Sequence, residues 1–125
     1  MKLALASAAA LVAVGAATLP EGDPERGERA YMKCYGCHSL EPGQSANGPS
    51  LHGIVGKAIA SDPDYPYSEA LRTLARRESL WTPELLDRFV ADPEGVAPGT
   101  DMGFFVSTDV QERADLIAYL GQSGD

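Results

Sequence analysis

The segment from Ser39 to Asp64, SLEPGQSANGPSLHGIVGKAIASDPD, limits the possible folds of this chain more than any other feature. It is dense in Gly, Pro, Ser and Asn, so it is too irregular for a helix, and it lacks the alternation of polar and apolar residues that marks a strand. Irregular loops of this length are uncommon inside compact domains unless they serve a function. We therefore expect this loop to wrap around something.

The segments on either side of the loop predict four helices and no convincing strand. The first lies in GDPERGERAYMKCYGCH, with Asp23 as the N-cap and Pro24 in the first turn, and is expected to end near Cys37. Two shorter helices are expected over residues 68–77 and 82–92. The pattern favours an all-α chain with long irregular connections.

Capping signals mark where the later helices begin. Thr82 is the expected N-cap of the third helix and is followed by a proline in the first turn. Thr108, with Gln111 three residues further on, forms the pattern of a capping box at the start of the last helix.

The first residues, MKLALASAAALVAVGAATLP, have the pattern of a secretory signal peptide, with Lys2 before an apolar run and small residues at positions 15–17. We predict that residues 1–17 are cleaved and that residues 18–125 form one domain. The alternative is a retained membrane anchor, because the apolar run approaches spanning length. Export places the mature chain in the periplasm, which is an oxidising compartment, with no stable membrane insertion after cleavage.

The net charge of −8 restricts the possible partners. Nucleic acids and anionic membrane surfaces select for clustered Lys and Arg, so neither is an expected partner. We expect a monomer whose partners are proteins that are not strongly acidic.

The pentapeptide CYGCH carries the strongest chemical signal. The thiols of Cys34 and Cys37 can add to the two vinyl groups of one haem, and the adjacent His38 can then bind the iron. A plain disulfide leaves His38 unexplained, a thioredoxin-like site needs a βαβ pattern, and a zinc site lacks ligands because the only other histidine is His52. We therefore predict one covalent haem c, around which the small domain and its long loop can fold.

A haem bound by His38 needs a sixth ligand or an open site, and a methionine sulfur is a suitable ligand. Met1 leaves with the signal peptide, and Met32 is too close to Cys34 to reach the opposite face of a haem. Met102 lies in VAPGTDMGFF, a segment rich in turn-forming residues that is free to approach from the other side. The predicted iron ligands are therefore His38 and Met102.

With CYGCH, GPSLHG, LW and PGTDM in this order, and ERADLIAYL near its end, the chain resembles the class I cytochromes c of mitochondria and of the bacterial periplasm. The resemblance extends from about Gly22 to the C-terminus. It implies an all-α class I cytochrome c fold in which several helices and long loops wrap one covalently bound haem and the N- and C-terminal helices cross. It also implies that two residues of the first helix meet two of the last, namely Gly27 and Tyr31 with Leu116 and Tyr119.

The resemblance assigns roles to further residues. Pro49 matches the proline whose carbonyl accepts a hydrogen bond from the iron-binding histidine, which fixes the tautomer of the ring. Tyr67 and Trp81 match residues that hydrogen-bond a haem propionate, although either could be an ordinary core aromatic with a polar tip. His52 matches a histidine that ties loops together by hydrogen bonds.

The chain departs from the family pattern at two positions. Phe89 stands where relatives usually have a tyrosine whose hydroxyl reaches the methionine sulfur, so that hydrogen bond is missing. Asp101 replaces the lysine that commonly precedes the methionine, so the residue beside the proposed ligand is negative. Other cations could form a local positive rim or simply a solvated face, namely Lys33, Lys57, Arg72, Arg76, Arg77 and Arg88.

The function that the resemblance implies is that of a soluble periplasmic one-electron carrier in a respiratory or photosynthetic chain, with no enzymatic activity. The expected donor is a cytochrome bc-type complex, and the expected acceptor is an oxidase, a photosynthetic reaction centre or a reductase. A peroxidase or gas-binding protein in which Met102 dissociates is one alternative. A dedicated subunit of one oxidoreductase is another.

Overall fold

The computed structural model describes residues 18–124. The predicted signal peptide lies outside this range. The described residues form five helices and no strand, apart from a single antiparallel bridge between Ala58 and Leu80. The helices are α1 (Pro24–Tyr31), α2 (Glu69–Arg77), α3 (Pro83–Ala91), α4 (Pro93–Val96) and α5 (Val110–Leu120). Within the described range, no helix is long and apolar enough to cross a membrane.

Short-range capping explains where most helices begin. Asp23, Ser68 and Thr82 each accept a hydrogen bond from a backbone N–H in the first turn of α1, α2 and α3. A proline occupies the start of α1, α3 and α4, where a missing N–H costs no helical hydrogen bond. The predicted starts of the first three helices are confirmed.

Three details differ from the predictions. Helix α1 ends at Tyr31 and not near Cys37, because the N–H groups of Cys34 and Cys37 bond to carbonyls three residues earlier and form tight turns. The N-cap of α5 is Asp109 and not Thr108, since the Asp109 carboxylate accepts two first-turn N–H groups and its charge complements the helix dipole. The short helix α4, capped by the side chain of Asp92, was not predicted.

Helices α1 and α5 pack against each other more closely than any other helix pair. A Cβ atom at Gly27 would lie 1.9 Å from the carbonyl oxygen of Asp115, so only glycine permits this approach. The rings of Tyr31 and Tyr119 meet on the same side with their centroids 5.6 Å apart. Leu116 belongs to the same buried cluster. The predicted meeting of the first and last helices is confirmed.

Asp115 ties the start of α1 to α5. Asp115 is only 4% exposed. Its carboxylate accepts hydrogen bonds from the Asp23 N–H at 2.8 Å and from the Arg26 guanidinium at 2.9 and 3.1 Å. It also accepts one from the Gln111 amide at 2.9 Å. The Arg26 hydrogen bond, followed by that of the Asp23 N–H, holds the pKa of Asp115 well below its usual range, against the opposing effect of burial. The carboxylate is therefore ionised and fully bonded in the folded protein.

The long loop between Ser39 and Asp64 is irregular, as predicted, and hydrogen bonds hold it in place. Its first part is fixed by a bond from the Leu51 N–H to the Ser39 carbonyl and by one from the Ser50 hydroxyl to the Glu41 carbonyl. The Gly53 N–H donates to the hydroxyl of Ser123 beyond α5. The loop thus returns to the C-terminal end of the chain and closes one side of the molecule.

The first prediction concerns the contact between α1 and α5. Gly27→Ala places a methyl group against a backbone carbonyl, and we expect the free energy of unfolding to fall by about 2 kcal/mol or more, as for overpacked cores. Chemical denaturation measures the loss. Glu28→Ala is the matched control, because it also adds an alanine to α1 but at an exposed position. Equal stability of the two variants would show that the close approach is not needed.

The second prediction concerns pH. The folded-state pKa of Asp115 lies below the unfolded value of about 3.9, so its contribution to stability is present above about pH 4 and is lost as the pH falls through the folded pKa. We expect Asp115→Asn to lower the Tm at neutral pH and to flatten the fall of Tm below about pH 4. Asp64→Asn, at an exposed carboxylate, is the control and should change neither. An unchanged acid slope in Asp115→Asn would contradict the assignment.

Candidate functional site

A mostly apolar cavity of about 250 Å³ brings together residues from distant parts of the chain. Cys34, Cys37 and His38, which follow α1, line it together with Met102 from the loop between α4 and α5. The other sequence-predicted site residues, Pro49, Tyr67 and Trp81, line it too. Much of the remaining wall is apolar and comes from the long loop, the helices and residues 99–107, which we call the Met102 segment: Ile54, Leu71, Leu86, Phe89, Val90, Phe105 and Leu120.

Cys34 and Cys37 are partly buried and form no disulfide. The turn after α1 places both on the cavity, since the Cys37 N–H bonds to the Cys34 carbonyl at 3.1 Å. Burial raises the pKa of the Cys34 thiol to about 11, whereas redox-active dithiols have a lowered pKa. In residues 18–124, no cluster of His, Cys, Asp and Glu could hold a metal ion. These features argue against the redox and zinc alternatives.

The ring of His38 is held in one orientation. The residue is 8% exposed, and its Nδ1–H donates to the carbonyl oxygen of Pro49 at 2.8 Å. Burial lowers the pKa of His38, while the bond to Pro49 acts in the opposite direction. A neutral imidazole with its proton on Nδ1 leaves the lone pair of Nε2 available to a metal. The predicted hydrogen bond between His38 and Pro49 is confirmed.

Gly48 allows the loop to pack on this ring. A Cβ atom at Gly48 would lie 2.4 Å from Cε1 of His38, and the Gly48 N–H also bonds to the carbonyl of Cys37 at 2.6 Å. Gly48 is not among the site residues predicted from the sequence. Its position one residue before Pro49, in NGPS, was the available signal.

A tight turn directs the Met102 segment towards the cavity. The Thr100 N–H bonds to the Ala97 carbonyl at 3.0 Å across Pro98 and Gly99, and Gly99 has φ = +88°. Proline followed by a glycine of positive φ is the pattern of a type II turn. Thr100 is buried, and its hydroxyl accepts the Met102 N–H at 3.3 Å. Hydrogen bonds and a turn within the chain therefore shape this segment without help from a ligand.

Side chains from α4 and α5 hold the two ends of the Met102 segment. At one end, the Glu94 carboxylate accepts the Gly99 N–H at 3.0 Å. At the other, Arg113 donates through Nη1 to the carbonyl of Ser107 at 2.8 Å and through Nε to Asp87 of α3 at 2.7 Å. The Arg113 and Asp87 side chains are only 11% and 18% exposed. These anchors were not predicted, because no local sequence pattern reveals them.

The aromatic residues of the cavity have partners within the protein. The Tyr67 hydroxyl accepts the Asp62 N–H at 3.1 Å and keeps its own hydrogen free to donate. Burial raises the pKa of Tyr67, so the hydroxyl stays protonated at neutral pH. Trp81 is buried against Phe89, with ring centroids 5.1 Å apart. The propionate bonds predicted for Tyr67 and Trp81 stay predictions.

Two further expectations concern His52 and Phe89. Nδ1 of His52 donates to the carbonyl of Leu40 at 3.2 Å, which joins two parts of the long loop. The predicted role of His52 in tying separate loops together stays a prediction. Phe89 lies in the cavity wall, as expected from its alignment with a family tyrosine. It has no hydroxyl, and within the described range no hydrogen bond reaches the Met102 sulfur.

Ion pairs engage four of the six cations that could have formed a positive rim. Lys33 pairs with Glu112 at 2.7 Å, Arg72 and Arg76 share Glu69, and Arg88 lies 3.8 Å from Glu78. The guanidinium of Arg77 donates to a backbone carbonyl. Lys57 lies on the cavity itself. Of the two interpretations of these cations, a local positive rim and a solvated face, the ion pairs favour the solvated face for four of the six.

The donor set and its surroundings fit a c-type haem. Two thiols three positions apart, an imidazole with Nε2 free and a thioether all line one apolar cavity within a helical fold. This combination defines a haem-binding electron-transfer protein of the c type.

Comparison with known proteins identifies the family. The family model for cytochrome c matches residues 24–124. A cytochrome c2 of Rhodopila globiformis is 40% identical over 102 residues, which cover 81% of this chain and 93% of the relative. A cytochrome c2 of Agrobacterium tumefaciens is 38% identical over 101 residues, covering 80% and 91%. The structure of cytochrome c2 from Rhodospirillum centenum superimposes with a TM-score of 0.76 at 30% identity and covers 83% of this chain and all of that one.

The chain belongs to the cytochrome c family. The expected all-α fold and the single covalently attached haem c are confirmed with it. The spacing of Cys34 and Cys37 is consistent with that attachment.

Proposed function

We propose that this protein carries single electrons on a haem c attached to Cys34 and Cys37, with His38 and Met102 as the two axial ligands. The observation that supports this most strongly is the cavity, which brings the CYGCH turn and the Met102 segment to the same apolar space. When bound, the haem supplies an iron that alternates between the ferric and ferrous states.

The protein's own residues prepare both ligands. The bond from His38 Nδ1 to Pro49 selects the tautomer that directs a lone pair from Nε2, and it strengthens the imidazole as a ligand. The anchored Met102 segment supplies a soft sulfur, which favours the ferrous state and raises the reduction potential. The apolar wall keeps water away, so little solvent has to reorient when the charge changes. An electron carrier needs surroundings that change little between its two charge states.

An electron carrier explains the site better than an enzyme does, because His38 and Met102 would together hold the iron and leave no open position for a substrate. We further propose that residues 1–17 are a cleaved signal peptide and that the mature chain, residues 18–125, works in the periplasm as a monomer. Its partners would be a cytochrome bc-type donor and an oxidase, reaction centre or reductase as acceptor. The names and similarity of the cytochrome c2 relatives support this assignment.

A second candidate is a peroxidase-like or gas-binding protein in which Met102 dissociates. Phe89 favours it, because the family hydroxyl that reaches the methionine sulfur is missing. High-spin ferric protein, or binding of carbon monoxide by the ferrous protein at neutral pH, would support this candidate. A dedicated subunit of one oxidoreductase would instead co-purify with its partner on gel filtration.

The third prediction tests the sixth ligand. Met102→Leu removes the sulfur but keeps an apolar side chain of similar volume. We expect the weak sulfur-to-iron charge-transfer band at the red end of the ferric spectrum to disappear. The reduction potential should fall on the order of 0.1 V, since axial ligands set haem potentials over about 0.8 V. Met32→Leu, an exposed methionine, is the control. Retention of both properties in Met102→Leu would show that another group binds the iron.

The fourth prediction tests the anchor at Arg113. Arg113→Lys keeps the charge but replaces the two nitrogens that reach Asp87 and Ser107 with the single nitrogen of a shorter side chain. A hydrogen bond to a charged group contributes about 1.5–3 kcal/mol. We expect the population with Met102 detached to rise about tenfold, so that imidazole binds the ferric haem about tenfold more tightly. Spectroscopic titration with imidazole measures the change.

Arg72→Lys, in an exposed ion pair on α2, is the matched control for Arg113→Lys and should leave imidazole affinity unchanged. The reduction potential and the far-UV circular dichroism of both variants are recorded as well, to separate loosening of the segment from loss of the fold. If Arg113→Lys lowers the Tm without changing imidazole affinity, Arg113 has only a general structural role.

A further inference from the structure

One carboxylate outside the Met102 segment contacts both ends of the turn that presents the methionine. The turn comprises residues 99–103, the first five of the segment. Oε1 of Glu94 accepts the Gly99 N–H at 3.0 Å, where the turn begins. Oε2 lies where the turn ends, since a Cβ atom at Gly103 would be 3.2 Å from it. Glu94 therefore spans the five residues from outside.

The short helix α4 holds Glu94 in place for this contact. The side chain of Asp92 accepts the Gly95 N–H at 3.0 Å and caps the helix. A Cβ atom at Gly95 would overlap this carboxylate and displace it, so the glycine preserves the cap. At the other end of the helix, the guanidinium of Arg77 donates to the carbonyl of Val96 at 3.1 Å. Contacts at both ends of α4 therefore fix the backbone that carries Glu94.

Other hydrogen bonds of the turn are local. The N–H groups of Thr100 and Gly103 bond to carbonyls within residues 97–103, and the Met102 N–H bonds to the Thr100 hydroxyl. These bonds set the shape of the turn but do not attach it to the rest of the protein. In the part of the chain that the structure describes, Glu94 is the only side chain outside residues 97–103 that hydrogen-bonds to them. Its carboxylate therefore attaches the turn to α4.

The contact depends on an oxygen acceptor more than on a charge. Glu94 is exposed, and in residues 18–124 it forms no ion pair with a lysine or an arginine. Its partner is the backbone N–H of Gly99, which belongs to the turn itself. The side-chain amide of glutamine carries an acceptor oxygen at the same distance from the backbone. A neutral side chain of the same shape should therefore preserve the contact.

We propose that Glu94 is a positioning residue for Met102, whose carboxylate holds residues 99–103 in the arrangement that keeps the methionine sulfur on the iron. This inference rests on the proposed function, because it takes Met102 as the sixth ligand. A bond shifts an equilibrium between two states only by the difference in its strength between them. Met102 cannot leave the iron without movement of its turn, so the bond between Glu94 and Gly99 opposes detachment.

The fifth prediction compares Glu94→Ala with Glu94→Gln in the haem-loaded protein. Alanine removes the acceptor of the Gly99 N–H, whereas glutamine keeps it without the charge. We expect hydrogen exchange of the Gly99 amide to become about tenfold faster in Glu94→Ala and to change less than about twofold in Glu94→Gln. NMR of isotopically labelled protein measures the exchange. Equal exchange rates in Glu94→Ala and the unaltered protein would overturn the contact.

Imidazole affinity tests whether the contact acts on the ligand. Imidazole competes with Met102 for the ferric iron, so its apparent affinity rises with the fraction of protein in which the sulfur is detached. We expect about fivefold tighter binding to Glu94→Ala and unchanged binding to Glu94→Gln. Glu84→Ala is the matched control, because Glu84 is exposed and also follows a proline in a first helical turn, that of α3. Faster Gly99 exchange without tighter imidazole binding would overturn the positioning role.

Gly103 gives an independent test through the other carboxylate oxygen. Gly103→Ala places a methyl group against Oε2 of Glu94, so we expect it to displace the carboxylate and to raise imidazole affinity. In the Glu94→Ala background the same substitution should leave imidazole affinity unchanged, since the two residues then no longer interact. An equal increase in both backgrounds would show that Gly103 acts without Glu94 and would overturn the contact at Oε2.

Two observations distinguish failure of this inference from failure of the proposed function. The unaltered ferric protein should show the sulfur-to-iron charge-transfer band, and its absence would overturn Met102 as the ligand whatever the Glu94 variants do. With the band present, unchanged imidazole affinity in Glu94→Ala would overturn the role of Glu94 alone. Far-UV circular dichroism of each variant shows that the helices are intact, so tighter imidazole binding is not a result of unfolding.

Discussion

The contact between α1 and α5 is the constraint on which the rest of the structure depends. Gly27 lets the two backbones approach, and Asp115 holds them by accepting bonds from the Asp23 N–H and the Arg26 side chain at the start of α1. Cys34 follows the end of α1 within one turn, and the Met102 segment runs directly into α5. Fixing the two helices therefore fixes the two segments that carry the proposed iron ligands. His38 and Met102 are 64 residues apart in the sequence. Both reach one cavity because Gly27 lets α1 and α5 pack closely.

The cavity is the part of the core that the chain does not fill with its own side chains. Leu86, Phe89, Val90 and Leu120 are buried in the main hydrophobic cluster and also face the cavity. A chain of this size buries a limited apolar area, so a large flat cofactor bound covalently adds a substantial share of the core. This explains why an irregular loop rich in Gly and Pro can be part of a stable domain. The loop packs on the site, and Gly48 lets it lie directly on the His38 ring.

The features predicted correctly from sequence are those that depend on neighbouring residues. The N-caps at Asp23 and Thr82 act within one turn, and the CYGCH spacing is set by covalent chemistry. The N-cap of α5 was misassigned because Thr108 and Asp109 are adjacent candidates, and the stronger acceptor caps the helix. The bonds of Arg113 could not be predicted, because Asp87 and Ser107 are brought to it only by the packing of α3 and α5. Local rules locate the donors of the site, whereas tertiary contacts hold them.

The use of cations links stability to recognition in this protein. Arg26 and Arg113 are engaged in holding α1 and α3 against α5, and Lys33 joins the turn after α1 to α5. Each of these cations is matched by a carboxylate that removes its effect at a distance, because paired charges of opposite sign largely cancel beyond a few ångströms. A chain with 18 acidic and 10 basic side chains that uses three of its cations in this way has less positive charge free to attract an acidic partner. An acidic surface of this kind favours partners that supply the cations themselves.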